Sequence, residues 1–170
     1  MIVWIRTRLI RTRFIRTRFI RTGLLVSATV GIIMSLPAAG QTPLSRAERE
    51  LFASVNQARR TRGLAPLRWD NALAAAARRH AEVMAERGSA QHGFTGEPSL
   101  SNRVKQAGGH FSWLSENVTA GPTAMFIHSQ FMNSPSHRAN ILDRDMDSIG
   151  VGVVERRGQL FAVEDLSQAR

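Results

Sequence analysis

Residues 148–166, with the sequence SIGVGVVERRGQLFAVEDL, are the clearest indication of the fold class. Ile149, Val151 and Val153 recur at every second position, which is the period of a β-strand. The turn-like segment ERRGQ separates this run from a second apolar run, LFAVEDL, so the two runs are predicted to form a β-hairpin. Because glycines inside a strand favour close approach of another backbone, Gly150 and Gly152 predict an element packed directly against the hairpin.

Ahead of the hairpin, capping residues and apolar periodicity predict two long helices. Ser45 and Glu48 form a capping box for a first helix at about 46–61, which ends before Gly63. The segment LAPLRWD that follows is predicted to be extended because it contains a proline. Asp70 can cap a second helix, and Gly88 is a suitable stop for it.

Shorter elements are predicted between the second helix and the hairpin. They are a helix at about 100–107, a short strand within FSWLSENVTAG, and a helix that follows Gly121 and ends near Asn133. Ser136 is then predicted to cap a further short helix that begins at His137. Helices come first, strands come last, and no strand–helix–strand alternation occurs. The sequence therefore predicts an α+β domain in which helices cover an antiparallel sheet.

The first 40 residues differ from the rest in composition. Arginine-rich repeats of the type IRTRF lead into the apolar run LLVSATVGIIMSLPAAG, which ends in a proline and small residues. This order is typical of a secretory signal peptide, and the run is short for a membrane span, although an uncleaved N-terminal anchor remains the alternative. We therefore predict a signal peptide at 1–40 and a secreted or periplasmic protein, whose only contact with a membrane would be through an uncleaved signal.

Net charge does not indicate a nucleic-acid partner. The formal charge is +10, but seven of the 23 Lys and Arg residues lie in residues 1–22, where there is no acidic residue. The remaining 16 basic and 13 acidic residues are an ordinary balance for a soluble domain. The chain contains no cysteine, so the exported domain is expected to depend on its core rather than on disulfides.

Two of the five histidines are candidates for function. His92 and His137 lie among small and polar residues at predicted loop or helix-start positions, where binding sites are commonly built. In the first turn of a helix, the helix dipole disfavours a protonated His137, and a metal ion or a general base requires the neutral ring. A simple surface histidine is the alternative. His80 is interpreted as a hydrogen-bonded core histidine, and His110 and His128 as locally bonded side chains.

Common catalytic and metal motifs are missing from the sequence. His80 is followed by AEVM, so the zinc motif HExxH does not occur, and Asp143, Asp145 and Asp147 lack the glycine and glutamate of a calcium loop. There is no G-x-S-x-G, P-loop or G-x-G-x-x-G motif. The residues alone thus lead to an exported α+β domain with two candidate histidines.

Six motifs follow one another along the chain: VNQARRTRGLAPLRWDNALAAAARRHAEVMA, QHGF, SENVTAG, FMNSPSHRANIL, SIGVGVV and LFAVEDLS. Their succession resembles the bacterial branch of the CAP superfamily, named for cysteine-rich secretory proteins, antigen 5 and pathogenesis-related 1 and also called the SCP domain. The resemblance covers residues 46–168. It implies an α-β-α sandwich, with helices on both faces of a small antiparallel sheet.

The resemblance also implies a cleft, which here would be formed by His92, Glu116, Ser134 and His137. Ser134 occupies the position of a second family glutamate, which weakens any acid–base mechanism that needs two carboxylates. In relatives the two histidines can hold a divalent cation, often zinc, so His92 and His137 are the predicted metal ligands. Two protein nitrogens would make a weak site. The expected protein is a monomeric binding module for a cation or small polar ligand, with no defined reaction and no nucleic-acid partner.

Two other functions remain open at this stage. One is a hydrolase, either serine- or metal-dependent. A serine hydrolase would use Ser134 or Ser136 as nucleophile, His92 or His137 as base, and Glu116 to orient the base. A binder of lipid or of an envelope component would use an apolar groove between helices, lined by four side chains: Met84, Met125, Phe126 and Met132. Ser136 is more simply explained as a helix cap, and apolar residues at helical spacing are more often core.

Overall fold

The structure is a computed structural model that describes residues 43–168, and the predicted signal peptide at 1–40 lies outside the described residues. Five helices and four strands follow one another along the chain. They are α1 (Arg46–Arg60), β1 (Arg68–Trp69), α2 (Asn71–Arg87), α3 (Leu100–Gln106), β2 (Trp113–Gly121), α4 (Ala124–Asn133), α5 (Pro135–Leu142), β3 (Ser148–Arg156) and β4 (Gln159–Gln168). None of the helices within 43–168 is long and apolar enough to cross a bilayer.

The sheet has the strand order β1-β3-β4-β2. The predicted hairpin is present, since β3 and β4 pair antiparallel, and β2 pairs antiparallel with the other edge of β4. The two-residue strand β1, which follows the predicted extended segment, pairs parallel with β3 and makes the sheet mixed rather than wholly antiparallel. The side chains of β4 are buried on both faces of the sheet, because β4 is a central strand and helices pack on each face.

Helices cover both faces of the sheet, so the predicted α-β-α sandwich is confirmed. On one face, α2 contributes Ala77, Ala81 and Met84 to a cluster with Val118 and Phe161. On the other face, α1, α4 and α5 pack against the sheet through a second cluster. That cluster includes Leu51, Val55, Ile127, Phe131, Ile141, Ile149, Val151 and Leu166.

Capping determines where α1 and α2 begin and end. Ser45 and Glu48 make both hydrogen bonds of the predicted capping box at α1. The Asp70 side chain accepts from the backbone N–H groups of Ala72 and Leu73 at the start of α2, and Gly88 ends the helix at φ 65°. These caps fix the length of the two helices to within a residue or so of the predicted bounds.

The predicted start of α5 was wrong. α5 begins at Pro135 with Ser134 in the N-cap position, at φ −81° and ψ 121°, so Ser136 lies inside the helix. Proline suits the first helical position because it lacks the N–H that would have no partner there and its φ is already helical. His137 is still in the first turn, as the dipole argument requires.

A buried arginine anchors the connection from α5 to β3. The Arg59 side chain is 1% exposed and donates hydrogen bonds to the backbone carbonyls of Ala65, Ile141, Asp143 and Met146. Each of these carbonyls would otherwise be short of a partner in a region with little regular structure. Arg59 therefore holds the end of α5, the helix that carries His137, against α1.

Candidate functional site

Glu116 is the central acceptor of the predicted cleft. It lies in β2, is 8% exposed, and accepts a hydrogen bond of 2.9 Å at Oε1 from Nδ1 of His92. Its Oε2 accepts from the Arg103 guanidinium and lies 3.9 Å from Nε2 of His80. A buried carboxylate with such partners is held in one orientation, so the position of the His92 ring follows from the position of β2.

The contact with Glu116 also sets the tautomer of His92. A carboxylate has only acceptor atoms, so the Nδ1 of His92 is the donor and carries the hydrogen. Nε2 makes no hydrogen bond to any residue within 43–168 and keeps its lone pair in the neutral ring. The side chain is 62% exposed, so this nitrogen is accessible to a ligand from solvent.

The loop that carries His92 is anchored to α2 by His80, which is fully buried. Nδ1 of His80 lies 2.6 Å from Oε1 of Glu97, and Nε2 lies 2.8 Å from the carbonyl oxygen of Gln91. These two contacts bracket His92 in the sequence. His80 is thus the hydrogen-bonded core histidine that was predicted, and it also positions the neighbouring candidate ligand.

His137, which interacts electrostatically with His92, is held in place by contacts with Phe131 and Asn117. Burial, and then the electrostatic cost of protonating two neighbouring histidines, His137 and His92, lower the pKa of His137 below its ordinary value, which favours the neutral ring at neutral pH. The ring packs edge-on against Phe131, with 5.3 Å between centroids. Asn117, the neighbour of Glu116 on β2, donates from Nδ2 to the backbone carbonyl of His137 at 3.2 Å. The same strand therefore positions both histidines, through adjacent residues.

The serines of the cleft do not contact the histidines. The Oγ atoms of Ser134 and Ser136 lie 3.2 Å apart, and within residues 43–168 neither hydroxyl makes a hydrogen bond to an imidazole. Glu116 does bond one of the two candidate bases, His92, as a residue that orients a base would, but no serine hydroxyl of the cleft reaches either ring within these residues. The described geometry thus lacks the serine–histidine contact that activates a nucleophile.

The predicted apolar groove is not assembled from the four side chains named for it. Met84 lies in the cluster under α2, whereas Met132 packs against the cluster on the opposite face of the sheet. Met125 and Phe126 are exposed on α4. These residues therefore do not line one common surface.

The two remaining histidines take no part in the contacts that His92 and His137 make with Glu116, Asn117 and Phe131. His110 is exposed in the loop after α3. His128 is half-buried in α4, where burial lowers its pKa. Its Nδ1 is buried without a hydrogen-bond partner among the described residues, so the prediction that His128 is locally bonded was wrong. Within residues 43–168 there is no group of three or more His, Asp or Glu side chains arranged to hold a metal ion.

A layer of buried acids beneath the cleft was not predicted. Glu116 pairs across the sheet with Asp165, and Asn117 pairs with Glu164, so the two acids of β4 face opposite sides of the sheet. Both are fully buried. Burial raises the pKa of Glu164 to about 8, and burial together with the nearby Glu116 raises the pKa of Asp165 well above its ordinary value. The sequence did contain one indication of these buried acids, since Glu164 and Asp165 are adjacent within the otherwise apolar strand sequence LFAVEDL.

A comparison with protein families places this geometry among known proteins. The model of the CAP family, described as the cysteine-rich secretory protein family, matches residues 52–165. The chain is 31% identical over 113 residues to the uncharacterized protein YkwD of Bacillus subtilis, a match that covers 66% of this chain and 44% of that protein. It is 32% identical over 110 residues to the uncharacterized membrane protein YlbC of the same species, covering 62% and 31%. The chain therefore spans less than half the length of these curated relatives.

Solved structures with the same fold include surface and extracellular proteins. An extracellular protein containing an SCP domain from Bacillus anthracis superposes with a TM-score of 0.67 at 23% identity, covering 75% of this chain and 45% of that one. An outer surface protein of Borrelia burgdorferi gives a TM-score of 0.69 at 19% identity, covering 77% and 98%. At these identities the matches bear on the fold alone.

Proposed function

Since the chain belongs to the cysteine-rich secretory protein (CAP) family, we propose that its cleft binds a divalent cation, zinc in particular, through His92 and His137. The observation that carries the proposal is the hydrogen bond of 2.9 Å from Nδ1 of His92 to buried Glu116. Histidine ligands of metals commonly donate their second ring nitrogen to a carboxylate, which fixes the ring and makes the free nitrogen more basic. Glu116 is suited to this supporting role rather than to direct ligation.

The residues present fit a weakly held cation. Neutral imidazole nitrogens are good zinc ligands, and the lowered pKa of His137 keeps its ring in that form at neutral pH. Bound zinc would supply a Lewis acid with positions left open for water or for a small polar ligand. The residues of this chain orient the two rings and leave His92 open to solvent. They supply no second carboxylate, so the proposal is a binding site without an assigned reaction.

Export is the second part of the proposal. The predicted signal peptide at residues 1–40 supports it, as does membership of a family described as that of cysteine-rich secretory proteins. Outside the cell or in the periplasm, a weak site could bind zinc or another divalent cation opportunistically. The protein would then act as an exported binding module for such a cation or for a small polar ligand that completes its coordination.

Isothermal titration calorimetry with Zn(II) on the full chain tests the metal site. The unmodified protein is expected to bind one zinc ion weakly, and His92→Ala and His137→Ala are each expected to reduce the affinity at least tenfold, since each removes one of two protein ligands. His110→Ala is the matched control, because it removes an exposed histidine that takes no part in the cleft contacts of His92 and His137. Equal affinity in all four proteins would show that the site is placed wrongly.

A further inference from the structure

Asp165 is a buried acid on the face of the sheet that α2 covers. Glu116 lies directly opposite it on β2, and Gly150 lies opposite it on β3. The backbone of α2 comes so close to this point that a Cβ on Gly150 would lie 2.0 Å from the backbone nitrogen of Ala74. Asp165 is thus enclosed by backbone on one side, and the Glu116 carboxylate is the acidic group beside it.

Arg103 does not provide Asp165 with a hydrogen bond. Its Nη1 donates to the carbonyl of Pro98 at 3.1 Å and lies 3.6 Å from Oε1 of Glu97, while its Nη2 donates to Glu116. Nε of Arg103 is buried and has no hydrogen-bond partner within the described residues. The guanidinium of Arg103 therefore forms its ion pairs with two other carboxylates, those of Glu97 and Glu116, and not with Asp165.

His80 is likewise committed elsewhere. Both of its ring nitrogens are engaged, one with Glu97 and the other with the carbonyl of Gln91. Neither carboxyl oxygen of Asp165 accepts a hydrogen bond from any donor within residues 43–168. An ionised carboxylate in this position would lack donors and would sit against a second negative charge. A shared proton removes both problems, as it does in other adjacent carboxyl pairs.

We propose that Asp165 is a positioning residue of the cleft: as a neutral carboxylic acid it donates a hydrogen bond to Glu116. This bond holds the Glu116 carboxylate in the orientation in which it accepts from His92. The chain of contacts then runs from the middle of the sheet through Asp165 and Glu116 to the exposed His92 ring. The inference rests on the proposed function to the extent that the oriented ring is a metal ligand.

The competing arrangement is an ionised Asp165 that is attracted to Arg103 without a direct hydrogen bond. The charge of Arg103 does favour the ionised form, but burial and the neighbouring Glu116 oppose it more strongly, and the pKa of Asp165 is raised. In that arrangement Glu116 would lose a donor and gain a like charge. The two arrangements differ in whether a donor or a charge is needed at position 165.

Two substitutions in the full chain separate the alternatives. Asp165→Asn keeps a donor toward Glu116, whereas Asp165→Leu fills a similar volume and removes it. Glu164→Gln is the matched control, because Glu164 is an equally buried acid of the same strand that faces the other side of the sheet. The readouts are the infrared difference spectrum at neutral pH, the ¹⁵N shifts that report the His92 tautomer, and zinc affinity.

The infrared difference between unmodified protein and Asp165→Asn is expected to contain the carbonyl band of a protonated carboxylic acid. Asp165→Asn and Glu164→Gln are expected to keep the Nδ1–H tautomer of His92 and a zinc affinity within about twofold of the unmodified protein. Asp165→Leu is expected to lose the tautomer preference and at least tenfold in affinity, as is usual when a group supporting a metal ligand is removed.

The absence of the acid band, or an unchanged His92 tautomer in Asp165→Leu, would overturn the inference. If Asp165→Leu does not fold, the infrared comparison with Asp165→Asn still decides whether Asp165 is protonated. If the unmodified protein does not bind zinc, the proposed function fails while the infrared and tautomer results still decide the role of Asp165.

Discussion

At the scale of single residues, Glu164 is the acid whose titration can be assigned most directly. Its Oε2 accepts a hydrogen bond of 3.1 Å from Asn117, and its Oε1 is buried and has no partner within the described residues. Burial raises its pKa to about 8, although the bond from Asn117 acts in the opposite direction. At neutral pH the folded protein therefore holds a proton on Glu164, whereas the unfolded chain does not.

This difference gives a definite sign to the pH dependence of stability. Below the unfolded pKa of Glu164 both states are protonated, so the ionisation of this group contributes no pH dependence to stability. As pH rises from about 4.5 to about 8, the folded state binds more protons than the unfolded state, so its stability falls by up to about 1.4 kcal/mol per pH unit. Above a pH of about 8 this contribution is lost and the dependence levels off.

We expect Glu164→Gln to remove this loss. The glutamine keeps an oxygen that can accept from Asn117 and has no proton to release. The variant should gain on the order of a few kcal/mol of unfolding free energy relative to the unmodified protein between pH 5 and pH 8. Urea unfolding at a series of pH values measures the effect, and exposed Glu82→Gln is the control. Parallel profiles for unmodified protein and Glu164→Gln would contradict the assignment.

At the scale of elements, the turn between β3 and β4 carries local strain. Arg156 pairs with Gln159, so Arg157 and Gly158 form a two-residue loop, with φ values of 53° and 75°. Two positive φ values in such a loop correspond to a type I′ turn, for which Asn-Gly is the preferred sequence. Arginine pays a steric cost at the first of these positions that asparagine largely avoids.

Arg157→Asn is therefore expected to stabilise the protein by about 0.5 to 1 kcal/mol. The measurement is the midpoint of urea unfolding, compared between proteins whose unfolding free energy depends equally steeply on urea concentration. Arg156→Asn is the matched control, because it makes the same change of charge and size in the exposed end of β3, where φ is not positive and asparagine is a poor strand residue. Equal midpoints for the two variants would show that the backbone conformation of Arg157 is not strained.

Elements with local determinants were predictable from the sequence. The caps at Ser45 and Asp70 gave the starts of α1 and α2, and Pro135 gave the end of α4. The start of α5 was placed two residues late because proline is itself a suitable first residue of a helix. β2 was predicted only as a short strand, since Glu116 and its polar neighbours interrupt the apolar alternation.

Only those residues of the candidate site that lie within recognisable sequence motifs could be predicted. His92, Glu116 and His137 were identified through family motifs, and the structure places His92 against Glu116 and His137 near His92. Asp165 was missed because its role depends on strand register, which pairs it with Glu116 across the sheet and is not encoded in either strand alone. A buried polar network of this kind is a long-range property.

At the scale of the whole molecule, the position of the site depends on how closely α2 approaches the sheet. A Cβ on Gly152 would lie 2.2 Å from the backbone nitrogen of Arg78, which is the middle of α2. Backbone atoms cannot move aside as the end of a side chain can, so the helix and the sheet would have to separate. Since α2 also carries His80, which holds the His92 loop, the spacing of these two layers sets the position of one candidate ligand.

Gly152→Ala is therefore expected to destabilise the protein by about 3 kcal/mol or more, at the upper end of the cost of overpacking a core. Because the displaced α2 carries His80, which contacts Glu97, amide hydrogen exchange at Phe94, whose N–H donates to Glu97, should also become faster. Gly93→Ala is the matched control, since its Cβ would have no atom within 4 Å and its φ is not positive. Thermal unfolding measures the loss of stability, and hydrogen exchange measures the loosening of the His92 loop. If Gly152→Ala unfolds at the same midpoint temperature as Gly93→Ala, α2 and the sheet can separate at little cost in free energy.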